Sequence, residues 1–228
     1  VYGSARHYSI VQVLPEIRST TVVINGFSKA YAMTGWRVGY AAGPREVIKR
    51  ATAIQEHTAS CVTSITQKAA VAALNGDDSS IEAMRQEFER RRDYLVNELK
   101  QIPLVDCPLP DGAFYAFPNI SHYIKNNKIG IRDSVQLCEY LLKNFHIALV
   151  PGSAFGCDDC LRFSYATSME NIVEGVKRFK GVVLFTSHDH EFVQTVASRI
   201  IEIDSTVIED VAISFDEYLE RKLLKLNH

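Results

Sequence analysis

Apolar positions along the chain change their period several times, and each change marks an element. Thr21-Val22-Val23-Ile24-Asn25-Gly26 is a β-branched run that stops at a turn signal, and it predicts a buried strand. Val38-Gly39-Tyr40-Ala41-Ala42-Gly43 predicts a second strand, with Pro44 suited to the first turn of a helix. Helix-favouring residues follow as far as the stop signal Asn75-Gly76, with a break expected at about 58–62. Ile81, Met84, Phe88, Leu95 and Leu99 then recur at helical spacing. They predict one long helix, capped by Ser79 or Ser80 and running to about Gln101. Residues 113–117 read as a strand stopped by Pro118, and Asp133 is placed to cap a helix to about Phe145. Residues 147–150 and 161–166 read as strands, and Ser168 can cap a last helix to about Lys180. This alternation predicts α/β or α+β layers.

Composition narrows the class only modestly. The 228 residues are 46% hydrophobic and 23% charged, an ordinary globular balance. No run of eighteen apolar residues occurs, so no membrane span is expected, and a net charge of −2 offers no general field for nucleic acid. Residues 1–180 hold 21 Lys+Arg against 18 Asp+Glu, whereas residues 181–228 hold 4 against 9. An acidic tail behind a mildly basic body fits a change of module near Lys180. Inside the long helix, Glu89-Arg90-Arg91-Arg92-Asp93 is expected to be a solvated face with i,i+4 pairs rather than an anion site.

The chain opens Val1-Tyr2-Gly3-Ser4, without an initiator Met or a leader pattern, and reads as the middle of something longer. Its five cysteines are Cys61, Cys107, Cys138, Cys157 and Cys160. An odd count without a leader predicts reduced thiols and a cytoplasmic protein. Cys157-Asp158-Asp159-Cys160 has the C-x-x-C spacing, but no second pair and no histidine lies at ligand spacing, so no metal site is expected. The redox reading of that spacing requires a strand-to-helix context, and the plainer reading is two loop thiols close in sequence.

The richest chemistry lies in Gly26-Phe27-Ser28-Lys29-Ala30-Tyr31-Ala32-Met33-Thr34-Gly35-Trp36-Arg37-Val38-Gly39. A lysine sits in an irregular stretch just past a strand, among small residues, with an arginine eight positions on. A lysine at the carboxyl end of a strand can be desolvated and lose its proton, which an imine-forming amine needs. Arg37 is a permanent cation whose planar fork suits a phosphate dianion. Ser28 and the backbone amides beside Gly26 could add neutral donors. From chemistry alone, a surface lysine beside a turn and an ordinary arginine explain the same residues.

This stretch resembles, position by position, the pyridoxal-phosphate attachment pattern of class I and II aminotransferases, and 25–44 is similar to the aspartate aminotransferase branch. The resemblance implies Lys29 as the catalytic lysine that holds the cofactor, Arg37 on the cofactor phosphate, and Ser28 as a further cofactor contact. Gly112-Ala113-Phe114-Tyr115-Ala116-Phe117-Pro118 and Pro151-Gly152-Ser153-Ala154-Phe155-Gly156 are similar to the family's small-domain motifs. In Leu161-Arg162-Phe163-Ser164-Tyr165-Ala166 an arginine interrupts an apolar strand. It either clamps a substrate carboxylate or pairs with a protein carboxylate, and the resemblance implies the former for Arg162.

The fold so implied is the C-terminal half of a fold-type-I pyridoxal-phosphate-dependent transferase, an α/β protein. Residues 1–75 would be part of the large, cofactor-binding domain and 76–180 the α+β small domain. The implied activity is transfer of an amino group from an amino acid, aspartate or a relative, to a 2-oxo acid, by a homodimer in the parent family. The family's aspartate on the cofactor ring nitrogen, its tyrosine on the ring oxygen and its stacking aromatic have no counterpart here, so a fragment or chimera is expected. An inactive fusion product that only binds the cofactor is the alternative.

Residues 182–192, Val-Val-Leu-Phe-Thr-Ser-His-Asp-His-Glu-Phe, resemble the switch-histidine segment of ATP-binding-cassette proteins, with His188 at the strand end. Phe192 to Ile203 and Ser214 to Leu219 extend the resemblance to the ABC-F branch. That implies an appended β-α-β fragment over 181–228, or a remnant of such an ATP-binding protein. No G-x-x-x-x-G-K-[ST] loop accompanies it, so an ATPase is not expected.

Overall fold

The computed structural model describes residues 1–126, 130–180, 200–203 and 208–211, the last two ranges as backbone. The chain divides into two units. One comprises 1–89 with 111–113, the other 90–110 with 114–228.

The first unit opens with a short helix, α1 (Ile10–Val13), and a 3-10 turn at Pro15–Ser19. Strands β1 (Val23–Gly26) and β2 (Gly39–Ala42) then pair antiparallel, with Val23 opposite Ala42 and Gly26 opposite Gly39. A Cβ on Gly39 would lie 2.8 Å from Asn25 O, so the pairing needs glycine there. Helices α2 (Arg45–Ala59) and α3 (Ser64–Asn75) follow Pro44, and the expected break falls between them at 60–63. The connection from Phe27 to Val38 folds on itself. Met33 and Tyr31 N–H both donate to Phe27 O at 3.3 Å, and Ala32 N–H donates to Lys29 O at 3.2 Å. Phe27, Met33 and Ala70 form the buried cluster of this unit, with Tyr31, Val38, Ala69 and Ala73 packed around it.

The buried strand expected at 21–26 is not observed. Ile24 is 80% exposed, and β2 is exposed along its whole length. The reason is topological: among the described residues β1 and β2 pair only with each other, and a two-stranded ribbon has no inner strand.

The long helix α4 runs Ser79–Lys100. Ser79 lies inside it, and its N–H donates to Asp77 Oδ1 at 3.0 Å, so the aspartate does the capping expected of the serine. The expected solvated face at 89–93 also needs correction. Arg92 is 6% exposed, donating to Pro110 O at 3.1 Å and to Asp93 Oδ1 at 2.8 Å. A buried guanidinium needs such partners to offset its desolvation.

The second unit is a small antiparallel sheet under helices. Strands β3 (Tyr115–Ala116), β4 (Val150–Pro151) and β5 (Leu161–Ser164) are ordered β3-β5-β4. A short helix α5 (Ser121–Lys125) precedes α6 (Ser134–Phe145), and α7 (Met169–Lys180) closes the body. Both predicted caps are made: Asp133 accepts from Gln136 N–H at 2.8 Å, and Ser168 Oγ accepts from Asn171 N–H at 3.2 Å. Leu95, Val96, Leu99, Leu141, Leu161, Phe163, Tyr165 and Val176 are buried here.

A separate hairpin pairs β6 (Ile200–Ile203) with β7 (Ile208–Val211). The expected strand at 182–185, His188 and the segment 214–219 lie outside the described residues. Among the described residues no helix is long and apolar enough to cross a membrane.

Candidate active site

The compact connection between β1 and β2 carries three of the four residues singled out from sequence. Phe27 is 3% exposed and Met33 8%, so the two anchor the loop; between them Tyr31 packs half-buried on the same cluster, while Lys29, Ala30 and Ala32 are exposed. Ser28 is half-buried and Lys29 exposed. The desolvated lysine that the sequence allowed is therefore not what this structure presents; Lys29 nonetheless has an interaction partner.

Arg37 closes the loop in the left-handed region, at φ 52° and ψ 49°. One guanidinium nitrogen donates to Thr34 O at 2.9 Å, and among the described residues no carboxylate pairs with it. The donors expected beside Gly26 are otherwise engaged. Gly26 N–H donates to Asn25 Oδ1 at 2.8 Å and Phe27 N–H to Val38 O at 3.3 Å. Neither amide is left for an anion.

Arg37 lines a cleft of about 610 Å³ with Trp36, Cys61, Val62, Thr63 and Thr66 among its walls. Lys29 is not among the residues that line it. Thr63 and Thr66, at the start of α3, add hydroxyls to one fixed cation, a combination able to receive an anion. Sequence reading placed a helix break near these threonines but could not bring them to Arg37, because that depends on how α3 packs under the loop.

In the second unit, Arg162 lies on the central strand β5, opposite Val150 of β4. Leu161 and Phe163 are buried and Arg162 only partly so, the alternation of a one-sided sheet. Its guanidinium carbon stands 4.4 Å from the centroid of the Tyr115 ring and 4.5 Å from that of Phe155. No ion pair or side-chain hydrogen bond engages Arg162 among the described residues. Of the two readings open from sequence, pairing with a protein carboxylate thus finds no support in this unit. The same residues show no group of three metal ligands.

The family model for class I and II aminotransferases matches residues 1–179. The aspartate aminotransferase of Geobacillus stearothermophilus is 46% identical over 181 residues, covering 78% of this chain and 46% of the relative. An aspartate/prephenate aminotransferase of Nitrosomonas europaea is 44% identical over 179 residues, covering 77% of this chain and 45% of the relative. Among solved structures, the aspartate aminotransferase from Rhizobium meliloti superposes with a TM-score of 0.74 at 44% identity, over 78% of this chain and 45% of that one. The aromatic aminotransferase from Pyrococcus horikoshii OT3 gives 0.70 at 38% identity, over 78% and 46%. The chain spans about half the length of the curated relatives it matches. These structural neighbours are fold-type-I enzymes dependent on pyridoxal phosphate, and the α/β architecture described above is part of that fold. On the match over 1–179, the chain belongs to the class I and II aminotransferase family.

Proposed function

We propose that this chain is the C-terminal half of a pyridoxal-phosphate-dependent aminotransferase that moves an amino group from aspartate or a related amino acid to a 2-oxo acid. Residues 1–75 contribute to the cofactor-binding domain and 76–180 form the small domain. Residues 181–228 are an appended segment similar to ABC-F proteins. In this reading the complete enzyme is a cytoplasmic homodimer.

The residues present suit the cofactor. Arg37 is a fixed cation over a polar cleft with no carboxylate partner among the described residues, as a phosphate site requires. Lys29 stands eight positions before it on the same folded loop, with Ser28 beside it as a hydroxyl donor. When bound, pyridoxal phosphate supplies a conjugated ring that draws electrons from the substrate Cα. Lys29 would hold the cofactor through its amine and, once released, move the proton at the substrate Cα as general acid/base. Arg162 would fork the α-carboxylate and so orient the Cα bond that breaks.

The observation that carries the proposal is Arg162, a guanidinium flanked by two rings and by no protein carboxylate among the described residues. The test is borohydride reduction of the full chain with pyridoxal phosphate, followed by peptide mapping. A stable label at Lys29, absent from Lys29→Ala, is the expected result. Equal labelling of every exposed lysine would overturn it.

A further inference from the structure

The Cys157-Asp158-Asp159-Cys160 segment is more tightly built than its spacing alone requires. Sequence reading asked for a strand-to-helix context; the structure has a β-turn between β4 and β5 instead. Cys160 N–H donates to Cys157 O at 3.2 Å, which closes a four-residue turn. Such a turn brings its first and last Cα within about 7 Å. A disulfide needs Cα atoms roughly 4.4–6.8 Å apart. The backbone thus already holds both cysteines near the span of the bond.

Both are free thiols, Cys157 partly exposed and Cys160 only 6% exposed, and their side chains are close enough to interact. The turn is anchored by groups other than sulfur. Asp158 Oδ1 accepts from Ser134 Oγ at 2.6 Å and from Ser134 N–H at 3.0 Å. Asp159 Oδ2 pairs with Lys125 Nζ at 3.1 Å. Gly152 N–H donates to Cys160 O, and Cys157 N–H donates to Gly152 O, each at 3.0 Å. None of these contacts uses a sulfur atom.

We propose that Cys157 and Cys160 form a thiol–disulfide exchange site that accepts small disulfides. The Cys157 thiolate bonds to one sulfur of the small disulfide, whose own S–S bond breaks and releases a first thiolate. Cys160 then gives its proton to solvent, its sulfur bonds to Cys157, and the second small thiolate leaves. The two protein thiols lose two electrons and two protons in becoming a disulfide, and the small disulfide gains them as two thiols. Burial pushes the Cys160 thiol up to about 12, aided by Cys157 and the charge of Asp159. The first attack therefore falls to the more exposed Cys157, and Cys160 resolves the mixed disulfide.

The full chain is incubated at about pH 8 with bis(2-hydroxyethyl) disulfide, quenched, alkylated and digested with trypsin. Both cysteines fall in the peptide 144–162. This peptide is expected to lose the mass of two hydrogens and to take no alkyl group, while exposed Cys61 carries a mixed disulfide. Cys160→Ser should trap the adduct on Cys157, and Cys157→Ser should slow modification of Cys160 at least about tenfold. Two outcomes in the unaltered chain, needing no variant to fold, would overturn the proposal. One is a persistent adduct on Cys157; the other is alkylation of both thiols after Cys61 has fully reacted.

Discussion

Arg162 and Tyr115 face each other across neighbouring strands, guanidinium carbon to ring centroid at 4.4 Å. The ring stiffens the side chain without neutralising it, leaving the donors of the fork free to engage a ligand. Arg162→Met should therefore cost the fold little, about 1 kcal/mol for a partly exposed stack. It should weaken 2-oxo acid binding to the cofactor-loaded chain by roughly 2–5 kcal/mol, as loss of a desolvated charge pair does. Urea unfolding and calorimetric titration separate the two effects. A large stability loss with unchanged binding would assign Arg162 to the fold alone.

Arg37 offers a cleaner separation, because its backbone sits at φ 52°. A left-handed conformation costs a residue with a Cβ, such as alanine, about 1–2 kcal/mol that glycine is spared. Arg37→Gly should be more stable than Arg37→Ala by about 1 kcal/mol, while both lose affinity for pyridoxal phosphate or inorganic phosphate. Thermal unfolding with and without added phosphate gives both comparisons. Equal stability of the two variants would show that the loop does not hold this conformation in solution.

The buried Ser134 hydroxyl, bonded to Asp158 and Ser153, should be worth roughly 1 kcal/mol, measured as the urea midpoint of Ser134→Ala. The acid limb of stability should change with it. The Ser134 hydroxyl, and then its amide, hold the Asp158 carboxyl below its ordinary value. A carboxyl depressed in the folded state contributes stability that is complete above its unfolded pKa of about 3.9 and is lost as pH falls through the folded value. Ser134→Ala should lose less stability than the unaltered chain on acidification below about pH 4.

Cysteine reactivity should be graded. Burial pushes Cys107 and Cys138 each up to about 11, whereas Cys61 is exposed. At pH 8 only about one in a thousand of the raised thiols is ionised, and the thiolate is the reactive form. Iodoacetamide should label Cys61 first and Cys107 and Cys138 well after it. Each unit rise in pH, up to about 11, should speed the slow pair about tenfold, on top of any change in access. Timed quenching with peptide mapping measures the order; early labelling of Cys138 would show that α6 opens readily.

What the sequence revealed was mostly local. Asp133 and Ser168 declare their helices because a cap and its target amide lie three residues apart. Lys29 and Arg37 are legible because one short loop carries both. Arg92 was misread because its carbonyl partner, Pro110, is 18 residues away and its burial depends on that contact. The same holds for the cysteine turn. Its spacing is plain, but its anchors Ser134 and Lys125 lie 24 and 34 residues upstream. Apolar patterning predicted β1 correctly as a strand. It could not report whether anything covers that strand, since periodicity carries no information about neighbours.

The β1–β2 ribbon has a practical consequence at the bench. Ile24, Val22 and Tyr40 are exposed beside backbone edges that, among the described residues, pair with no third strand. Two such ribbons can dock edge to edge, so encounters between molecules matter as much as folding within one. Encounter rate rises with the square of concentration. Yield should therefore fall as protein concentration rises during refolding and storage, and a charged side chain in place of Ile24 should reduce edge-to-edge pairing.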